Sequence, residues 1–138
     1  MMTKNNIFAV WMDYSGARIG RPVNGEIQLE SLDSGVETHL REEGQTADHT
    51  RFSPMHVSNN EHRNQNRHRE QVKKYWKALA EKLHEAQGVH LIGPGEAKKE
   101  FAQYLKEHNK NLPAVLTVEN SEALTERQLL ARMRQLLS

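Results

Sequence analysis

Residues 7–12 read Ile7-Phe8-Ala9-Val10-Trp11-Met12, and residues 22–29 read Pro22-Val23-Asn24-Gly25-Glu26-Ile27-Gln28-Leu29. The first run is apolar without interruption, the pattern of a strand buried on both faces. Asp13-Tyr14-Ser15-Gly16 follows it as a turn. In the second stretch Asn24-Gly25 joins residues 17–23 to residues 26–32. That dipeptide marks a two-residue hairpin, because both of its residues tolerate the positive φ such a turn requires. Ile27, Leu29 and Ser31 alternate with Glu26, Gln28 and Glu30, which leaves one face of the hairpin wet. The chain therefore opens as an antiparallel meander, and Val36-Glu37-Thr38-His39-Leu40 is a candidate fourth strand.

Beyond the meander the character changes. In residues 41–71 the clearly apolar side chains are Ala47, Phe52, Met55 and Val57. So few cannot order the stretch as a compact unit, and a long mobile loop running into a solvated helix is expected. Apolar spacing returns with Val72, Tyr75, Trp76, Leu79, Ala80 and Leu83, the stripe of an amphipathic helix. Its polar N-terminal half is expected over residues 59–71, with Gly88 as its stop. Val89-His90-Leu91-Ile92 reads as a buried strand, and Gly93-Pro94-Gly95 turns into a helix carrying Ala97, Phe101, Tyr104 and Leu105. Residues 114–118 form the next strand. Thr125-Glu126-Arg127-Gln128 is a capping box that starts a last helix with Leu129, Leu130, Met133, Leu136 and Leu137 on one face. The fold class is α/β: a mixed sheet with an antiparallel N-terminal meander followed by α-β-α-β-α. That element order resembles that of the ribonuclease H-like folds and of the related translational machinery component fold, and fold class by itself gives no function.

The 138 residues suit a single domain, residues 1–138, with 41–71 as its polar arm. Nineteen Lys and Arg against 18 Asp and Glu give a net charge of +1, so whole-chain charge points to no polyanionic partner. The absence of cysteine excludes disulfides, thiolate metal sites and a Cys nucleophile. No apolar run approaches the ~20 residues that span a bilayer, and the first residues lack a signal-peptide h-region. A cytoplasmic protein without a membrane partner is expected.

The charge is nevertheless uneven. Residues 51–77 carry seven basic side chains, Arg51, Arg63, Arg67, Arg69, Lys73, Lys74 and Lys77, against only Glu61 and Glu70. Lys and Arg on a helix with no core face neutralise phosphates and release counterions, which gives salt-dependent binding to nucleic acid. Asn59, Asn60, Asn64, Gln65 and Asn66 add groups suited to RNA backbone or exposed bases.

Glu43-Gly44-Gln45, then Arg51-Phe52, then the basic helix form an ordered series. In this the chain resembles the middle domain of the class-1 peptide release factors of archaea and eukaryotes, whose strands lead into a Gly-Gly-Gln loop, an Arg-Phe pair and a long basic helix. Val10-Trp11-Met12-Asp13, Gly93-Pro94-Gly95-Glu96-Ala97-Lys98 and Leu124-Thr125-Glu126 with Gln128 are similar to a group of short, single-domain bacterial proteins described as translational machinery components. The resemblance implies a ribosomal or ribosomal-RNA partner, contacted through Gly44, Gln45, Arg51 and the helix cations. It makes Gln45 the candidate catalytic residue, positioning water at the ester of peptidyl-tRNA. Glu43 stands where the release factors have glycine and brings a side chain and a negative charge. Peptidyl-tRNA hydrolysis is therefore disfavoured, and occupancy of an RNA-lined site, as in rescue, hibernation or assembly, is the leading function.

Two rivals stand beside it. Asp13, at the end of the first strand, would anchor a divalent metal in a ribonuclease H-like nuclease, which needs two or three converging carboxylates. The polar segment would alternatively serve a protein-interaction or oligomerisation module. Gly93-Pro94-Gly95 lacks the full phosphate-loop pattern, and the eight histidines show no paired ligand spacing. No cofactor or resident metal is expected.

Overall fold

Strand β1 (Ile7–Met12) pairs antiparallel with β2 (Gly16–Val23), and β2 pairs antiparallel with β3 (Glu26–Asp33), in the computed structural model. The structure describes residues 6–37, 54–108 and 112–138, with the side chains of residues 54–64 outside that description. On its other edge β1 pairs parallel with β4 (Gly88–Gly93), and β4 pairs parallel with β5 (Ala114–Asn120). The order β3-β2-β1-β4-β5 puts the apolar run of residues 7–12 at the centre of the sheet. Three helices complete the described fold: α1 (Pro54–Lys82), α2 (Ala97–Glu107) and α3 (Glu126–Leu137). This is the expected α/β class.

Side-chain alternation divides β1 between two cores. Phe8, Val10 and Met12 join the cluster built with Leu79 and Leu83 of α1 and Phe101 of α2. Ala9 and Ile92 instead meet Leu129 and Met133 of α3. Thus α1 and α2 cover one face and α3 covers the other. The hairpin closes through Asn24 at φ 53° and Gly25 at φ 83°, the backbone that Asn-Gly selects. Helix α3 begins as its sequence dictates: Thr125 Oγ1 accepts from Gln128 N at 3.2 Å, and Gln128 Oε1 accepts from Thr125 N at 3.0 Å. Among the described residues no helix is long and apolar enough to cross a membrane.

The structure corrects three expectations. Helix α1 starts at Pro54, five residues before Asn59, and so takes in much of the anticipated loop. Proline fits the first helical position, and no Gly or Pro interrupts residues 55–82. Gly88 does not stop that helix but opens β4. The chain leaves the helix after Lys82 through tight turns, with Ala86 N donating to Leu83 O at 2.9 Å and Gln87 N to Asn6 O at 2.7 Å. Val36 and Glu37 form no strand. Their N–H groups go to side chains, Val36 to Ser34 Oγ at 3.0 Å and Glu37 to Gln71 Oε1 at 2.9 Å. Residues 38–40 lie outside the described residues.

His90 sits on the β4–β5 ladder with Nδ1 2.8 Å from Thr117 Oγ1. Burial lowers its pKa from 6.5, and the nearby Glu119 carboxylate pulls it the other way. The folded chain then binds fewer protons than the unfolded chain between the lowered pKa and 6.5, so stability falls as pH drops through that window. His90→Gln is expected to flatten this acid limb. Urea midpoints at about pH 7.5 and about pH 5 should differ less in the variant than in the parent.

Candidate nucleic-acid interface

The C-terminal half of α1 is held by an aromatic seam. Tyr75 and Trp76 stack at 5.0 Å between ring centroids, Trp76 meets Phe101 at 5.4 Å, and Phe101 stacks on Tyr104 at 6.1 Å. Tyr75 Oη donates to Asp13 O at 2.8 Å, and Tyr14 Oη donates to Glu100 Oε1 at 2.5 Å. Burial raises the pKa of both phenols, reinforced by the Glu100 carboxylate for Tyr14 and by Asp13 for Tyr75. Both remain protonated donors that fix α1 and α2 against the carboxyl end of β1.

With that stripe buried, helical geometry sends the cations elsewhere. Arg69, Lys73 and Lys77 follow one another at i, i+4 and i+8 and form one row; Arg67 and Lys74, seven apart, form a second. All five are exposed. Arg67 approaches Glu37 at 3.8 Å, a loose surface pair. Among the described residues Arg69, Lys73, Lys74 and Lys77 make no ion pair. The structure therefore brings together five of the predicted RNA-binding residues over about 15 Å of helix. The side chain of Arg63, and all of Gly44, Gln45 and Arg51, lie outside the described residues.

A wall beside the first row was not visible in the sequence. Lys73 and Lys77 border a cleft of about 530 Å³ whose far side is α2, with Gln103, Tyr104 and His108 facing them. Tyr104 is legible only as a core-stripe residue and His108 only as one of many scattered histidines. Their conjunction with the lysines depends on how α2 packs against α1.

Asp13 has a different task from the one a nuclease needs. Its Oδ1 accepts from Ser15 N at 2.8 Å and Gly16 N at 3.1 Å, closing the turn between β1 and β2. No group of three His, Cys, Asp or Glu among the described residues is arranged to hold a metal ion. The Gly93-Pro94-Gly95 turn is closed internally as well. Lys98 is 1% exposed, and its Nζ donates to Gly95 O at 2.6 Å. A separate cavity of about 380 Å³ between Trp11, Arg18, Leu124 and Leu129 is bordered by none of the predicted RNA-binding residues.

No protein-family model matches the chain, and no curated protein does. Solved structures do. The Pelota protein of Thermoplasma acidophilum superposes with a TM-score of 0.54 at 16% identity, over 91% of this chain and 30% of that one. An archaeal translation termination factor, aRF1, superposes with a TM-score of 0.50 at 20% identity, over 95% of this chain and 34% of that one. The chain spans about a third of the length of these proteins. At such identities the likeness is one of fold, and it agrees with the release-factor-like arrangement of strands and helices.

Proposed function

We propose that this chain is a translation-associated RNA-binding protein that docks on ribosomal RNA through the two basic rows of α1. The observation that carries the reading is the exposed cation set Arg67, Arg69, Lys73, Lys74 and Lys77 on a helix anchored by its opposite face. A near-neutral chain gains nothing in core stability from concentrating charge there, whereas a phosphate backbone would be bound by it. The fold shared with an archaeal termination factor directs the reading toward translation. Gly44, Gln45 and Arg51 precede α1 in the chain and are assigned to the same docking event, with Arg63 between them and the exposed rows. The action is occupancy, of the rescue, hibernation or assembly type, and needs no cofactor. Hydrolysis is not part of it, because Glu43 adds a carboxylate where a developing negative charge would have to be accommodated.

Sucrose-gradient co-sedimentation with ribosomes is the test. The parent is expected to pellet at low salt and progressively less as salt rises. Replacing Arg67, Arg69, Lys73 and Lys74 together by Glu should weaken pelleting by at least about tenfold while lowering the melting temperature by only a few degrees, since all four are exposed and the lost Arg67–Glu37 pair is a surface one. A parent that stays at the top of the gradient at both salts sinks the proposal. Peptide release from charged ribosomes that is lost on Gln45→Ala would overturn the non-hydrolytic part alone.

A further inference from the structure

We propose that the cleft between α1 and α2 is a slot for one unstacked base of a single-stranded RNA, with the neighbouring phosphates on Lys73 and Lys77. The inference rests on the RNA-binding reading above and specifies how that surface distinguishes a single strand from a bare polyanion. Three features of the cleft converge on this ligand. Its volume, about 530 Å³, exceeds what one planar base requires. Its α2 wall presents π-faces: Tyr104 and His108 stack at 4.2 Å and 23°, and the outer ring, His108, is exposed. An outward-facing ring already stacked on another is a ready platform for a base, which stacks without regard to its sequence. His108 Nδ1 lies 3.0 Å from Tyr104 O, which orients the imidazole plane along the helix end.

The charges in the cleft are arranged consistently with this. Two carboxylates, Glu100 and Glu107, line it together with the lysines. Glu100 accepts from Tyr14 Oη, and Glu107 Oε2 accepts from Gln103 Nε2 at 3.1 Å. Neither is paired with Lys73 or Lys77 among the described residues. The two ammonium groups stand one helical turn apart, about 6 Å at their Cβ atoms, and point from the opposite wall. A base on His108 would face the two ammonium groups across the cleft, where they would take its phosphates. Trp76, 6% exposed, forms part of the floor and lies close enough to report on an occupant.

The experiment uses the full chain carrying Trp11→Phe, which leaves Trp76 as the single tryptophan. A six-nucleotide oligoadenylate and the same ribose-phosphate strand without bases are the probes. Oligoadenylate should quench Trp76 emission and the abasic strand should not. His108→Ala, at an exposed position that does not disturb the core, should weaken oligoadenylate binding by about tenfold and leave abasic binding unchanged. Lys73→Gln with Lys77→Gln should weaken both strands and reduce the slope of log affinity against log salt by about 1.4. Equal binding of the two strands with no response to His108→Ala overturns the slot and leaves the basic-helix reading standing. Failure of both strands to bind overturns both.

Discussion

Gly93→Ala is expected to destabilise the chain by about 4 kcal/mol, at the edge of the range that is exceptional for a point substitution. Gly93 ends β4 at φ 150°, a backbone that L-residues rarely adopt. A Cβ built there would overlap the carbonyl oxygen of Met12, the last residue of β1. The obstacle is backbone in the central strand, so no rotamer change relieves it. Opening the β1–β4 ladder would break the Trp11↔Ile92 pairing and would also pull Gly93 O from Ser121 N, which it accepts at 3.0 Å. Gly20→Ala is the informative contrast. There the added methyl would meet the Met133 sulfur, near the end of a flexible though buried side chain, so the expected cost is only about 1–2 kcal/mol. In thermal melts Gly93→Ala should lose roughly 10–20 °C. A loss no larger than that of Gly20→Ala would show that the β1–β4 approach accommodates a Cβ at this position.

Phe101→Ala should cost about 3–5 kcal/mol, the range for deleting a fully buried aromatic ring. Phe101 is 0% exposed and lies between Trp76 and Tyr104, so it links α1 to α2. Its removal leaves a void that the two neighbouring rings cannot fill without abandoning Tyr75–Trp76 stacking or the Tyr104–His108 pair. Phe101→Leu, which keeps most of the volume, should cost less than half as much. Urea unfolding measures the stability of both variants, and in the Trp11→Phe background Trp76 emission reports the seam directly. Red-shifted emission under native conditions in Phe101→Ala, with far-ultraviolet helicity retained, is the expected signature of a loosened α1. Unchanged emission and a loss below about 1 kcal/mol would remove the seam from the account of how the basic rows are positioned.

Much of this fold was legible because short-range chemistry decided it. An unbroken apolar run of six residues suits a strand covered on both faces, and Ile7–Met12 is the central strand. Asn24-Gly25 and the Thr125–Gln128 box each specify a local backbone that no tertiary contact overrides. The errors came where distant contacts set the outcome. Gly88 looks like a helix stop, yet it opens a strand because Asn6 O, more than 80 residues earlier, receives the Gln87 N–H. The register irregularity between Val89 and His90 along β5 leaves no mark in either strand's own sequence. The basic rows were readable from spacing alone, whereas the Tyr104–His108 wall depends on packing such as the Tyr14–Glu100 bond, which joins residues 86 apart.

The position of β1 also has a consequence for how the chain is made. The meander of residues 7–33 can pair within itself as soon as it is synthesised, but β1 must wait for a partner that begins at Gly88, 81 residues after Ile7. Until then the most apolar strand of the protein has an open edge, the situation in which edge-to-edge association competes with folding. Contacts of such separation slow the closing step, because loop entropy is lost before the ladder forms. All of α1, with its exposed cations, is therefore synthesised before the central ladder can close, and its charge is already on the nascent chain when β4 arrives.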